Sequence, residues 1–363
     1  MPLETRQPLI QKIEKARGSK VICYLTTLRP GLMGAMADDQ VRHFFDHLSL
    51  FGTRPVDKLD VFLVSNGGSG TVPWRLVPLL REFTKHLGVI IPYRAYSAAS
   101  LLALGADEIV MHPFAELGPI DPTVSNEFNP KDETTHQRLG ISVEDVTAYV
   151  TFVKETVGIR HEDELVKAIE ILANKVHPLA IGNVERFISQ SRLIARKLLK
   201  THLKVEEDHI IEELVENLAS RLYFHGHPIN RHEAKDDLGL STVNLDLSPD
   251  LESAVWDLYK DFEQDFQNQS VFFPAGDLAI ASGKVTFTNA QSPNPLAEKT
   301  YDLLHASIES DRLSCRFTTK RRYSLFRFLG PQGIQAIINE DVTEQGWNCS
   351  SVQTAAPPPP QKT

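Results

Sequence analysis

Apolar positions along the chain switch between two spacings, and each switch marks an element. Residues 6–17 put Leu9, Ile10 and Ile13 on one side of a helix. SKVICYLTT, from Ser19, is an apolar run of strand length. Over 38–50, Val41, Phe44, Phe45 and Leu48 recur at helical spacing, and KLDVFLVSNGG is an apolar strand, Val61–Val64, ending in two glycines. TVPWRLVPLLREFTKHLG returns to a helical period, with Trp74, Val77, Leu80 and Phe83 on one face. GVIIPYRAY is a strand again, and RAYSAASLLALGADEIVMH predicts a short helix and then a strand. Strand and helix in alternation predict an α/β fold with a mostly parallel sheet. Such sheets bind ligands at the carboxyl ends of their strands. The loops Asn66–Gly70 and Arg94–Ser100 both fall there.

Beyond Met111, turn residues dominate HPFAELGPIDPTVSNEFNPKDE. Residues 142–157 and 161–204 have helical period, and Pro178 is expected to break or kink the second stretch. EEDHIIEELVENLASRLYF is another amphipathic helix, and 251–267 is helical again. From about Asn268 the pattern weakens into short strands such as KVTFT and a basic KRR cluster at 320–322. The Pro-rich end, QTAAPPPPQKT, is expected to be disordered.

Charge narrows the classes of partner. The 363 residues carry a formal net charge of -9. That argues against broad binding to nucleic acid, which needs a cationic face. Cys23, Cys315 and Cys349 are far apart, and no CxxC pair is present. Neither a zinc knuckle nor a redox pair is expected, and the low cysteine content points to a reducing, cytoplasmic setting. MPLETRQPLIQKIEKARGSK lacks the apolar core of a secretory signal, and no apolar run reaches 18 residues, so no transmembrane segment is expected.

Four groups of residues could carry chemistry. Gly67 and Gly68 follow a strand, where open backbone N–H groups could hold an oxyanion; an ordinary turn is the plainer use. Ser97 stands where a helix N-cap belongs, and Ser100 lies one turn in, either a nucleophile in the positive end of the helix dipole or a small packing residue. His225, His227 and His232 could supply a base, although a polar loop would also place them together. Their spacing matches no standard zinc pattern, and no metal or other cofactor is expected. Asp121 sits in the stiff GPIDP turn; Lys131 and Lys154 could act as bases if buried.

Taken in order, NGG after a strand, AYSAASLLALGADEIVM, ELGPIDP and FHGHPINRHEAKDDLGL resemble the Clp-protease/crotonase-like superfamily. Within it the chain is most similar to the serine dehydrogenase proteinase family, related to signal peptide peptidase A. The resemblance covers roughly residues 9–262. It implies a Clp/crotonase-like core of repeated ββα units with outer helices over 1–262. A less regular C-terminal extension of unknown role would fill 263–352, and a disordered tail 353–363. It implies a serine peptidase in which Ser100 attacks, His225 takes the proton and Asp121 orients the base, with Asp107 as a rival acid. The N–H groups at Gly67, Gly68 and Leu101 would form the oxyanion hole. Lys154 or Lys131 would replace the histidine if the signal-peptide-peptidase dyad applied. A peptide or protein substrate and a homo-oligomer follow from the same resemblance.

The chain also departs from the pattern. It lacks the membrane helix that many members carry, Leu101 stands where peptidases often have glycine, and SNGGSG replaces a TPGG-like turn. Two other functions therefore stay open: an inactive scaffold or oligomerisation protein, and a crotonase-like enzyme that polarises an acyl-CoA carbonyl with the Gly-Gly N–H groups.

Overall fold

The structure, a computed structural model, describes residues 3–120, 123–124, 127–130, 141–204, 208–221, 227–283, 294–330 and 333–351. Its strands in chain order are β1 (Lys20–Thr26), β2 (Val56–Val64), β3 (Thr84–Ile91), β4 (Arg94–Ala95), β5 (Glu108–Met111) and β6 (Glu116–Leu117). They continue with β7 (Thr123–Val124), β8 (Ile141–Ser142), β9 (Ile229–Asn230), β10 (Val243–Asn244), β11 (Ala297–Glu309), β12 (Leu313–Gly330) and β13 (Gly333–Ser351). The chain divides into two compact units. The first comprises Met1–Asn66, Phe83–Lys85 and Leu247–Thr363; the second comprises Gly67–Glu82 and His86–Asp246.

In the first unit β1 and β2 run parallel, and β11, β12 and β13 extend the sheet antiparallel from the other side of β1. Val21, Ile22, Cys23, Tyr24 and Leu25 are buried in an unbroken run. That is the pattern of a strand covered on both faces rather than one. The region expected to be irregular after residue 263 is in fact dominated by three long strands. Its apolar signal is diluted because β13 is almost wholly exposed and polar along most of its length. KVTFT, read as a strand, lies outside the described residues. The register sets Cys315 opposite Cys349, and the two form a disulfide. Their 34-residue separation hides from the sequence a pairing that strand register makes direct.

Arg6 was invisible to the apolar pattern, yet it points the same way as Ile10 and Ile13 from the helix Leu3–Arg17 and is fully buried with them. It donates to Asp261, to Asp265 and, at 2.7 Å, to Glu309, and its guanidinium lies 4.2 Å from the Phe262 ring centre. Arg316 meets the other side of Asp265 at 2.8 Å. The network thus ties the first helix to the helix Pro249–Phe266 and to β11. Burial works against the charge of Asp265, but Arg6 and then Arg316 outweigh it and hold the carboxyl below its ordinary value of 3.8.

In the second unit β10, β5 and β3 form a parallel set. The stretch TVPWRLVPLLREFTKHLG divides where a single helix was expected: the helix spans Thr71–Arg81, and Thr84 opens β3. Phe83 still turns inward, but its carbonyl already accepts the Val56 N–H, a pairing no helix could make. The helix Ala98–Leu104 is buried along its whole length. A Cβ on Gly105 would come within 2.5 Å of Val77, so glycine lets this helix end close against Thr71–Arg81. Pro178 breaks the 161–204 stretch as expected: the helix Glu162–Ala173 ends before it and the helix Pro178–Leu199 begins at it, with His177 Nδ1 accepting the Leu179 N–H. Among the described residues no helix is long and apolar enough to cross a membrane.

Removing the guanidinium should strand Asp261 and Glu309 and leave Asp265 with Arg316. Arg6→Met is expected to lower unfolding free energy by about 3–5 kcal/mol, measured by denaturant titration of the full chain. In the variant the stranded carboxyls protonate on folding, so its stability recovers as pH falls from 7 towards 4. Asp265 of the wild type is depressed, so its contribution holds above 3.8 and is lost only below it. The gap between the two proteins should therefore narrow on acidification; a gap that widens would refute the account.

Candidate active site

Three short strands place the candidate residues. In the second unit β4 pairs parallel with β6, and β9 pairs antiparallel with β6: Ala95 faces Leu117, and Leu117 faces Ile229. Parallel and antiparallel directions have a definite consequence here. The chain leaving β4 towards Ser97, the chain leaving β6 towards Gly118, and the chain entering β9 at Ile229 all lie at one end of this sheet. Asp121, His225 and Lys131 all lie outside the described residues.

At the end of β4 the backbone makes a sharp turn into the helix Ala98–Leu104. Ser97 takes φ 54° and ψ -116°. This is glycine's territory, and a side chain there costs on the order of 1–3 kcal/mol. The surroundings enforce it. Gly67, at φ 97°, lies so near that a Cβ on it would sit 2.7 Å from the Tyr96 carbonyl oxygen and 2.8 Å from Ser97 Cβ. On the other side, a Cβ on Gly118 would strike the Tyr96 ring at 2.7 Å. The Tyr96 hydroxyl donates to Glu116 at 2.7 Å, which fixes the ring in place.

The two serines have opposite environments. Ser100 is buried, and its hydroxyl donates towards the carbonyls of Ala95 at 2.8 Å and Gly118 at 2.7 Å while accepting the Gly118 N–H at 3.2 Å. These bonds join β4, the helix and the chain after β6. Ser97 is half-buried and, although it occupies the N-cap position, its hydroxyl makes no capping bond. The capping role expected for Ser97 is therefore not the one it has. Leu101 N–H, expected in the oxyanion hole, donates to the Ser97 carbonyl at 3.1 Å. Ala98 N–H, at the helix start, has no intrahelical acceptor by geometry. It lies against Gly67, 3.0 Å from where a Cβ there would be.

The remaining candidates separate in the same way. Asp107 accepts the Leu87 N–H at 2.7 Å and pairs with Arg81 at 3.2 Å. Burial opposes its charge, but the Leu87 N–H and Arg81 prevail and hold its carboxyl below the ordinary value. It ties the strand ends and helix together. Lys154 is exposed in a π-helical turn, Phe152–Thr156. His227 Nε2 meets Glu233 at 2.7 Å, just before β9.

Residues 2–156 match the family of ClpP-like SDH-type serine proteinases. The ClpP-like α/β fold is thereby established. The matched segment contains the Gly67-Gly68 turn, both serines and Asp121, and it ends before His225. Two uncharacterized proteins of Methanocaldococcus jannaschii are similar. MJ1495 is 28% identical over 173 residues, covering 46% of this chain and 57% of its own. MJ0137 is 25% identical over 211 residues, covering 58% and 60%. The chain thus spans less than two thirds of either relative. Two solved structures of 1510-N membrane-bound stomatin-specific protease mutants, one with a substrate peptide, align at 14% and 15% identity with TM-scores of 0.25. They cover 38% and 37% of this chain, and 62% and 58% of their own.

The strain at residue 97 is measurable by substitution. Ser97→Gly should raise unfolding free energy by about 1 kcal/mol, because glycine adopts this backbone freely, whereas Ser97→Ala should leave it nearly unchanged. Equal stability of the two variants in denaturant titrations would show that no strain is held there.

Proposed function

We propose that the protein is a serine peptidase with Ser97, not Ser100, as its nucleophile. One observation carries the reading. Ser97 holds a backbone conformation reserved for glycine, at a strand-to-helix turn, with its hydroxyl spent on no capping bond. A serine lifted on such a turn is the device that exposes a nucleophile in unrelated hydrolases. Ser100, expected from the resemblance, has its hydroxyl engaged by backbone on both sides. Its work is to hold the turn.

The remaining roles follow from placement. Ala98 N–H and Gly68 N–H are the oxyanion donors in this proposal, since the Gly67-Gly68 turn lies against Ser97 and Ala98. Preorganised N–H groups of this kind stabilise the charge that develops on a peptide carbonyl oxygen. His225 takes the proton from Ser97 Oγ as it attacks and returns it to the leaving amine; water then frees the acyl-enzyme. Asp121 orients the imidazole. Support for the histidine and aspartate comes from the small sheet, in which Leu117 and Ile229, described residues near them in sequence, pair at the end where β4 turns towards Ser97. Lys154, exposed on its helical turn, is the weaker base.

A fluorophosphonate probe tests the assignment directly. Labelling and peptide hydrolysis should both vanish in Ser97→Ala. Ser100→Ala should keep the label while losing about 1–3 kcal/mol of stability, the cost of buried groups left unbonded. Peptide mapping that puts the label on Ser100, or a label that survives Ser97→Ala, would sink the proposal. Retained turnover in Ser97→Ala would point instead to a crotonase-like reaction needing only the backbone donors.

A further inference from the structure

The disulfide of the first unit has a neighbour that structural stapling does not require. Cys349 Sγ lies 3.6 Å from Nδ1 of His43, on the helix Gln40–Ser49. One donor atom from each of His43, Cys315 and Cys349 lies within 4.8 Å of the others. The register explains the convergence. Cys315 and Cys349 are directly opposed, so their side chains leave the same face of the hairpin. Trp347, two residues before Cys349, shares that face, and its ring lies tilted against the His43 ring with centroids 4.3 Å apart. The Trp347 N–H donates to Asp39 at 2.7 Å, next to the start of that helix. Hairpin and helix are thus held in register around two sulfurs and an imidazole.

We propose that reduction of Cys315–Cys349 creates a site for a thiophilic d10 cation, Zn2+, bound by both thiolates and His43 Nδ1. Thiolate and imidazole donors favour this ion over hard cations. A tetrahedral zinc centre sets neighbouring donors about 3.5–3.8 Å apart. The His43–Cys349 separation already has that spacing, and the two sulfurs reach it once the bond between them is cleaved. Cleavage takes two electrons and two protons from a dithiol, which itself becomes a disulfide. Zinc then displaces both thiol protons to solvent, while the imidazole contributes a lone pair. Exposed Cys349 admits the reductant and ion, and buried Cys315 anchors the site. Cys23, fully buried in β1, takes no part.

The full-length protein tests this when reduced with a dithiol, freed of it under argon and titrated with Zn2+ against a chromophoric chelator. The reduced wild type should bind one more zinc ion per chain than the oxidised protein, and Trp347 emission should change with it. Cys349→Ser and His43→Ala should each weaken that binding at least tenfold, with circular dichroism matching the reduced wild type. Trp347→Phe should bind zinc and lose the emission change. The proposal is overturned if reduced wild type takes up no more zinc than oxidised protein. It is equally overturned if Cys349→Ser binds as the reduced wild type does. Because the reduced wild type is the reference, loss of the staple itself cannot mimic either result.

Discussion

The candidate site depends on a backbone approach that only glycine permits. Gly67 lies against Tyr96, Ser97 and Ala98 at distances where any Cβ would collide. That closeness brings the end of one loop against the start of a helix, so a helix-start N–H and the Gly-Gly turn share one small volume. It also leaves Ser97 in a conformation that a free chain would avoid. Strain of this order persists only where surrounding contacts over-determine the backbone. Here they are identifiable: the Tyr96 ring packed on Gly118, the Tyr96–Glu116 bond, and the Ser100 hydroxyl bonded to both Ala95 and Gly118.

The amino-terminal α/β pattern was legible because its strands carry unbroken apolar runs and its helices are amphipathic. Val21–Leu25, Val61–Val64 and Ile109–Met111 are all buried as their composition requires. The boundary at Phe83–Thr84 was not legible, since Phe83 is buried whether the helix continues or a strand begins. Nor were the C-terminal strands. A hairpin with one face in water and an edge strand almost wholly exposed has little apolar alternation to read. Arg6 was missed for a related reason: a buried arginine reads as polar, and only the carboxylates of Asp261, Asp265 and Glu309, more than 250 residues away, make its burial possible.

The resemblance named candidate segments but could not separate their serines. Ser97 and Ser100 lie three positions apart among alanines, and both fit a helix start. What distinguishes them is backbone conformation and hydrogen bonding, which single-residue identity does not encode. The strand directions of β4, β6 and β9 were equally unreadable from two-residue stretches, yet they bring Ala95, Leu117 and Ile229 side by side.

The C-terminal strands bear on the first unit more than a dispensable extension would. β11 completes the hydrogen bonding of β1, supplies Glu309 to Arg6, and continues into the hairpin that carries the disulfide. Without β11, the inner strand β1 would present an open edge, and Arg6 would lose a buried carboxylate partner. Both costs are large where water cannot compensate. The amino-terminal helix and strand of the proteinase-like segment are therefore completed by residues nearly 300 positions later in the chain. The family match ends at residue 156, so the strand that completes the edge of β1 lies outside the segment that it covers.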